Sequence, residues 1–223
     1  MSSLKHLGII ADGNRRWAKE QGLPSIEGHR AGLKSIEKLV EAAAKSGISY
    51  ITFYVFSTEN WGRSEKEVSY IMKLAETKLL KYAEKLAQNN AKMVVLGSKN
   101  RVSPKLASMI EKAEKVTENC TGITVGFCFN YGGEVEIANA ATIAASEGKI
   151  TPETIRKHLY HPEIPDVDMV VRTSGEERIS GFMLWRASYA EFMFIEKYFP
   201  EMKGEDIEDI IKEYESRSRR FGK

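Results

Sequence analysis

Cysteine is almost absent from this chain of 223 residues, which holds only Cys120 and Cys128. Two thiols without a neighbouring histidine cluster make neither a disulfide framework nor a thiolate zinc site, so both read as structural. A strong excess of one charge is also missing. The 33 Lys and Arg against 31 Asp and Glu leave +2, which gives no ground for a nucleic-acid-binding surface. No apolar run approaches the ~20 residues that a membrane-spanning helix needs. The opening segment MSSLKHLGII has too short an apolar stretch before Asp12 to serve as a signal peptide. These absences lead to the expectation of an intracellular, cytoplasmic protein. No internal repeat or low-complexity linker interrupts the chain, so one domain over 1–223 is expected. With 42% hydrophobic residues, that domain can bury a substantial core.

What is present is an alternation of short β-rich runs and longer amphipathic ones. Strands are expected at 7–11, 50–56, 93–97, 123–129, 168–171 and 192–195. Helical spacing runs from Gly28 to Lys45, with Gly47 as a stop, and from Glu65 to Asn89. In the second of these, Val68, Ile71, Met72, Ala75, Leu79, Tyr82, Ala83 and Leu86 form one stripe. Ser103-Pro104 opens a helix to about Glu118, others follow Gly133 and Thr151-Pro152, and a last one begins at Gly204. Such alternation predicts an α/β fold with a central, mostly parallel sheet surrounded by helices. Ligands then sit beyond the carboxyl ends of the strands. Four polar segments fall there: 12–17, 57–63, 130–133 and 172–180.

The first segment is Asp12-Gly13-Asn14-Arg15-Arg16-Trp17. Gly13 permits close backbone approach, the helix start behind it offers free N–H groups, and the two arginines suit a diphosphate. Asp12 among them makes sense as a Mg²⁺ ligand, because the metal bridges carboxylate and phosphate oxygens. A capping aspartate among surface arginines is the plain alternative. The second segment, Ser57-Thr58-Glu59-Asn60-Trp61-Gly62-Arg63, places a guanidinium three positions after an amide. The third, Arg172 to Ser180, flanks a glycine turn with Arg172 and Arg178, whose forked donors match phosphate oxygens. Glu176 and Glu177 could simply neutralise them. Glu191, in YAEF, reads as a strand-edge charge and by itself would not be picked out, and His29, at the start of the second helix, is more often structural than catalytic.

Taken in order, ADGNRRWA, GHRAG, YVFSTENWGR, FNYGG, RTSGEERIS…LW…YAEF and a terminal RRFG resemble the cis-prenyltransferases, the undecaprenyl diphosphate synthase family, from His6 to Gly222. The resemblance implies that family's fold, a mostly parallel six-stranded sheet surrounded by helices with an apolar product tunnel. It implies an enzyme that joins an allylic prenyl diphosphate to isopentenyl diphosphate, releasing pyrophosphate and forming a Z double bond. Carried onto this chain, Asp12 is the catalytic aspartate and binds Mg²⁺, with Glu191 as the second metal-linked carboxylate. Gly13, Asn14, Arg15, Arg16, Trp17, His29 and Arg63 hold the allylic diphosphate. Ser57, Thr58, Glu59 and Trp61 add to substrate binding beside them, and Asn60 has a catalytic role. Arg172, Arg178, Ile179 and Ser180 hold isopentenyl diphosphate, and Arg220 of the Arg-x-Gly ending reaches across a homodimer interface.

The expected product is undecaprenyl diphosphate or a related polyprenyl diphosphate, released with peripheral contact to a membrane. A short-chain Z-prenyl synthase shares the same residues, and a bulky Phe129 facing the tunnel would favour it. A non-catalytic accessory subunit is the third reading, against which stand Asp12, Arg63, Arg172, Arg178 and Glu191. The chain departs from the family's pattern in Ser25 for a common basic residue, Arg15 for Gly, Gly181 for Asn and Ser98 for Asp.

Overall fold

The computed structural model describes residues 3–217. Among them, β1 (His6–Ile10), β2 (Tyr50–Ser57), β3 (Lys92–Leu96), β4 (Thr124–Tyr131), β5 (Met169–Arg172) and β6 (Glu191–Phe194) form one sheet in the order β3-β4-β2-β1-β5-β6. Every pairing in it is parallel. The connecting helices are α1 (Asn14–Glu20), α2 (Ser25–Lys45), α3 (Glu65–Gln88), α4 (Pro104–Val116), α5 (Gly133–Ser146), α6 (Pro152–Lys157) and α7 (Glu205–Ser216). Each expected strand forms, its ends shifted by a residue or two. None of the described helices is long and apolar enough to cross a membrane.

Parallel strands covered on both faces should be apolar throughout rather than alternating, and β1 and β5 are buried at every position. One face carries Ile9, Ile51, Phe53, Val125 and Phe127 beneath Leu39 and Ala43 of α2, Leu86 of α3 and Ile207 and Ile210 of α7. The other carries Ile10, Tyr54, Cys128 and Val170 beneath Phe182 and Met183. Both cysteines are free thiols, and Cys128 is buried. The stripe on α3 is unevenly used. Ile71, Ala83 and Leu86 are buried, whereas Val68, Met72, Ala75, Leu79 and Tyr82 are only half-buried.

β1 lies mid-sheet, with β2 on one side and β5 on the other. Strand order reverses there, and in open parallel sheets that is where a crevice opens at the carboxyl ends. The segments after β1, β2, β4 and β5 are the four picked out by sequence.

Two glycines set how closely this region packs. Gly13 has φ 92°, a left-handed conformation, and a Cβ there would lie 2.5 Å from the Tyr198 ring and 2.9 Å from Ser174. Gly28 in GHRAG receives the backbone carbonyl of Asn14; a Cβ would sit 1.9 Å from that oxygen. The glycine therefore lets α1 lie directly on α2, and both carry residues of the cleft described below.

Candidate active site

Asp12 leaves the carboxyl end of β1 with its backbone held from the neighbouring strand. Thr173 Oγ1 accepts from the Asp12 N–H (2.9 Å) and donates to the Asp12 carbonyl (2.7 Å). Its carboxylate accepts from the Gly13 N–H (2.6 Å) and from Arg172 Nη2 (2.7 Å), and Arg16 Nη2 lies 3.5 Å away. Partial burial acts to raise its pKa. The Arg172 hydrogen bond, the Gly13 N–H and the charges of Arg172 and Arg16 outweigh that and hold it below the usual carboxylate value. Asp12 is thus ionised at neutral pH.

Arg172 is 4% exposed, and its other terminal nitrogen donates to the Arg178 carbonyl and to Ser180 Oγ (2.8 Å). Its Nε is buried and without a partner. Arg16 donates to Ser174 Oγ (2.6 Å) and pairs with Glu176 at 3.0 Å; Glu176 also pairs with Arg178. The carboxylates of Asp12 and Glu176 thus join Arg16 of α1 to Arg172 at the end of β5 and to Arg178 beyond it. Ile179 is half-buried against the second core cluster, and Ser180 is exposed beside Arg178.

A cleft of about 720 Å³ opens on the α1 side, lined among others by Asp12, Gly13, Asn14, Arg15, Arg16, Lys19, Ser25, His29 and Arg63. Six of the residues expected to hold one diphosphate therefore share a cavity with Asp12. Ser25 does line this cleft, and Lys19, which the sequence reading passed over, lines it too. Trp17 is half-buried on α1 outside the lining. Glu67 at the start of α3 gathers the cations of this side. It accepts from Arg63 (2.9 Å), lies 3.7 Å from Arg15, and its Oε1 is 3.4 Å from His29 Nε2. Burial, helped by Arg63 and Arg15, lowers the His29 pKa against the opposing pull of Glu67, so the imidazole is neutral at pH 7.

The segment after β2 is a short 3₁₀ turn, Thr58–Gly62. Ser57 and Asn60 close it reciprocally, with the Ser57 N–H donating to Asn60 Oδ1 (3.2 Å). Thr58 donates to the Glu59 carboxylate (2.8 Å), and the Trp61 indole N–H donates to Asn130 near the end of β4 (2.7 Å).

Glu191 does not join this group within the chain. It pairs in register with Met169, and through it with Leu7, at the amino end of the sheet, whereas Asp12 lies beyond the carboxyl end. Its carboxylate pairs with Arg217 at 3.0 Å. Parallel register alone sets this, and no local sequence pattern reports it. Arg220 and the Arg-x-Gly ending lie outside the described residues. Thr173, Glu67 and Lys19 are the contributors that sequence reasoning missed. Glu67 carried a usable signal, since it stands four residues after Arg63 at a helix start.

No cluster of three or more His, Cys, Asp or Glu side chains among the described residues could hold a metal ion. Mg²⁺ does not require one. It keeps several waters and is held by one or two carboxylates together with substrate phosphates. Asp12 is an ionised carboxylate at the mouth of a cationic cleft and fits that donor set.

A family model described as "Putative undecaprenyl diphosphate synthase" matches residues 10–222. An isoprenyl transferase of Rickettsia bellii is 43% identical over 225 residues, covering 100% of both chains. Lavandulyl diphosphate synthase of Lavandula x intermedia, solved with dimethylallyl diphosphate, superposes with a TM-score of 0.94 at 30% identity over 99% of each chain. A probable undecaprenyl diphosphate synthase of Campylobacter jejuni gives 0.86 at 33% identity, covering 100% of both.

Proposed function

Because the chain belongs to the isoprenyl transferase (cis-prenyltransferase) family and condenses isopentenyl diphosphate onto an allylic diphosphate, we propose that it does so as a Mg²⁺-dependent homodimer making undecaprenyl or a related polyprenyl diphosphate. The observation that carries the site assignment is Asp12, whose carboxylate meets Arg172 at 2.7 Å and Arg16 at 3.5 Å. The allylic diphosphate occupies the cleft on the Arg15, Arg16, His29 and Arg63 side. Isopentenyl diphosphate occupies the Arg172, Arg178 and Ser180 side.

In the reaction the allylic C–O bond breaks and the departing diphosphate keeps the electron pair. The alkene of isopentenyl diphosphate forms the new C–C bond, and a proton then leaves the product chain. Arg16, Arg63 and the N–H groups at the start of α1 stabilise charge on the leaving group. Two diphosphate sites at a fixed separation orient the reacting carbons. Released pyrophosphate is the proton acceptor, oriented by Asn60, because a neutral amide is a poor base. A bound Mg²⁺ would neutralise phosphate charge and assist departure. Asp12 would hold it.

The half-buried stripe of α3 supports a long apolar chain lying beneath that helix. Tyr82 Oη is buried there without a partner. Phe129 packs against Phe56 with the rings tilted at 31° (centroids 5.5 Å) and lines a second cavity of about 660 Å³ together with residues of the loop after β3, α4 and α5. The homodimer reading draws on the open edge of β6, where Phe194 is 36% and nearby Tyr189 81% exposed. Glu191 lies on that edge strand, and a second copy is the route by which it would serve a metal. Product release at a membrane surface from a cytoplasmic enzyme completes this reading.

The test is turnover by the purified protein with labelled isopentenyl diphosphate, several allylic starters and Mg²⁺ or EDTA, with chromatography of the products. Long products, lost in EDTA, are expected, and unchanged product length in Phe129→Ala would remove Phe129 as the floor of the tunnel. Products of one or two condensations from wild type would replace the long-chain reading with the short-chain one. No turnover by the protein alone would favour the accessory-subunit reading.

A further inference from the structure

The FNYGG segment, at the carboxyl end of β4, has no part in the chemistry above, yet its asparagine is wired into the site. Asn130 is 3% exposed and sits at φ 50°, a conformation few non-glycine residues adopt. Its side-chain amide makes three contacts. Nδ2 donates to the carbonyls of Ser98 (2.7 Å) and Asn100 (2.6 Å), and Oδ1 accepts from the Trp61 indole N–H (2.7 Å). The amide's orientation is fixed by these partners, since a flipped group would face two carbonyls with its oxygen and an N–H with its nitrogen. The Ser98 N–H returns a bond to the Asn130 carbonyl (3.0 Å). The loop from Gly97 to Ser103 is therefore moulded around Asn130.

That loop carries Arg101, itself at φ 63°, with its guanidinium carbon 4.5 Å from the centroid of the Trp61 ring. Phe56 meets the same indole edge-on, with centroids 5.3 Å apart at 87°. Trp61 is thus held by a hydrogen bond, by an aromatic edge and by a cation over its face. It lies in the five-residue turn between Asn60 and Arg63. An indole fixed in this way leaves the turn little freedom to rotate.

We propose that Asn130 and Arg101 are positioning residues: they hold the Trp61 indole, and through it the turn that presents Asn60 and Arg63 to the reacting groups. The inference rests on the active-site reading above and adds to it two residues, Arg101 from the loop after β3 and Asn130 from near the end of β4.

Arg101→Met and Asn130→Gly test it, alone and combined with Trp61→Leu; glycine accepts the backbone conformation of Asn130 while deleting the amide. Arg101→Met should lower kcat about threefold. Asn130→Gly, which leaves an indole N–H and two carbonyls unpaired, should lower it about tenfold or more. KM should change less than about twofold in both, and the Trp61 indole N–H resonance should move. In the Trp61→Leu background each substitution should add less than a further twofold, because the path it acts through is gone. Full additivity there would overturn the proposal and point to direct substrate contact. Folded variants with wild-type kcat would also overturn it. If Asn130→Gly does not fold, the exposed Arg101 decides the matter alone. Asn60→Ala and Arg63→Ala serve as references: full activity in both would remove the active-site reading itself, whatever the cycle shows.

Discussion

Asp12→Asn should separate binding from turnover, and the contacts of the carboxylate set the expected magnitudes. The carboxylate accepts from Gly13, Arg172 and, at longer range, Arg16. An asparagine keeps one oxygen and turns an N–H₂ group towards the remaining donor. One charge-assisted hydrogen bond is then lost, worth ~1.5–3 kcal/mol when buried. Asp12's side chain is 30% exposed and water can reach it, so the cost in stability should be about 1–2 kcal/mol. Arg172 retains Ser180 and the Arg178 carbonyl, and the fold should survive. Turnover should fall on the order of 10³-fold, the scale of losing one electrostatic stabiliser of the leaving group. Pyrophosphate binding without metal should move the other way. Deleting a negative charge ~5 Å from a phosphate in a solvent-accessible cleft is worth about 1 kcal/mol per unit charge, or roughly fivefold tighter binding. Labelled isopentenyl diphosphate incorporation measures the turnover, calorimetry of inorganic pyrophosphate in EDTA the binding, and urea denaturation the stability. If pyrophosphate affinity fell in proportion to turnover, Asp12 would be a binding residue and its assignment as metal carrier would be wrong.

Two further predictions concern protons. His6 is fully buried between the Pro165 carbonyl and the Thr52 hydroxyl, and burial lowers its pKa from 6.5 to about 4. Its neutral form is the folded form, so its contribution is intact above pH 6.5 and lost as pH falls from 6.5 towards 4; between pH 7 and 4.5 wild type should lose about 2.5 kcal/mol more than His6→Gln in urea titrations, and equal losses would contradict this. His29 is held neutral by burial and by Arg63 and Arg15, against the pull of Glu67, and a diphosphate bound beside it would raise its pKa. Pyrophosphate binding near pH 6.5 should therefore take up more protons in wild type than in His29→Asn, with wild-type affinity gaining relative to the variant as pH falls. Calorimetry in two buffers of different ionisation enthalpy reads the uptake, and identical values would exclude His29 from the diphosphate site.

The strands are legible in the sequence because a parallel sheet buries both faces, so each strand is a short apolar run with polar residues just beyond its carboxyl end. That is how Asp12, Ser57 and Arg172 are found, although their segments lie up to 160 residues apart. The pairing of side chains between those segments leaves no such trace. Arg172 reads as a phosphate ligand, and only the coordinates show it already engaged with Asp12. GHRAG reads as a motif around His29, whereas its first glycine serves to receive the Asn14 carbonyl.

Glu191 illustrates the limit most clearly. A strand from 192 to 195 is expected and one from Glu191 to Phe194 forms, so the local reading is sound to within a residue. Its level in the sheet is set by pairing with β5, and that pairing puts Glu191 beside Met169, at the end opposite the cleft. Composition and periodicity describe a strand's own residues; they do not name the partner strand, here 22 positions earlier, or the level at which the two pair. The same argument gives the dimer reading its weight. If Glu191 takes part in metal binding, one chain cannot complete the site, and the exposed edge on which Glu191 lies is where a second chain must come.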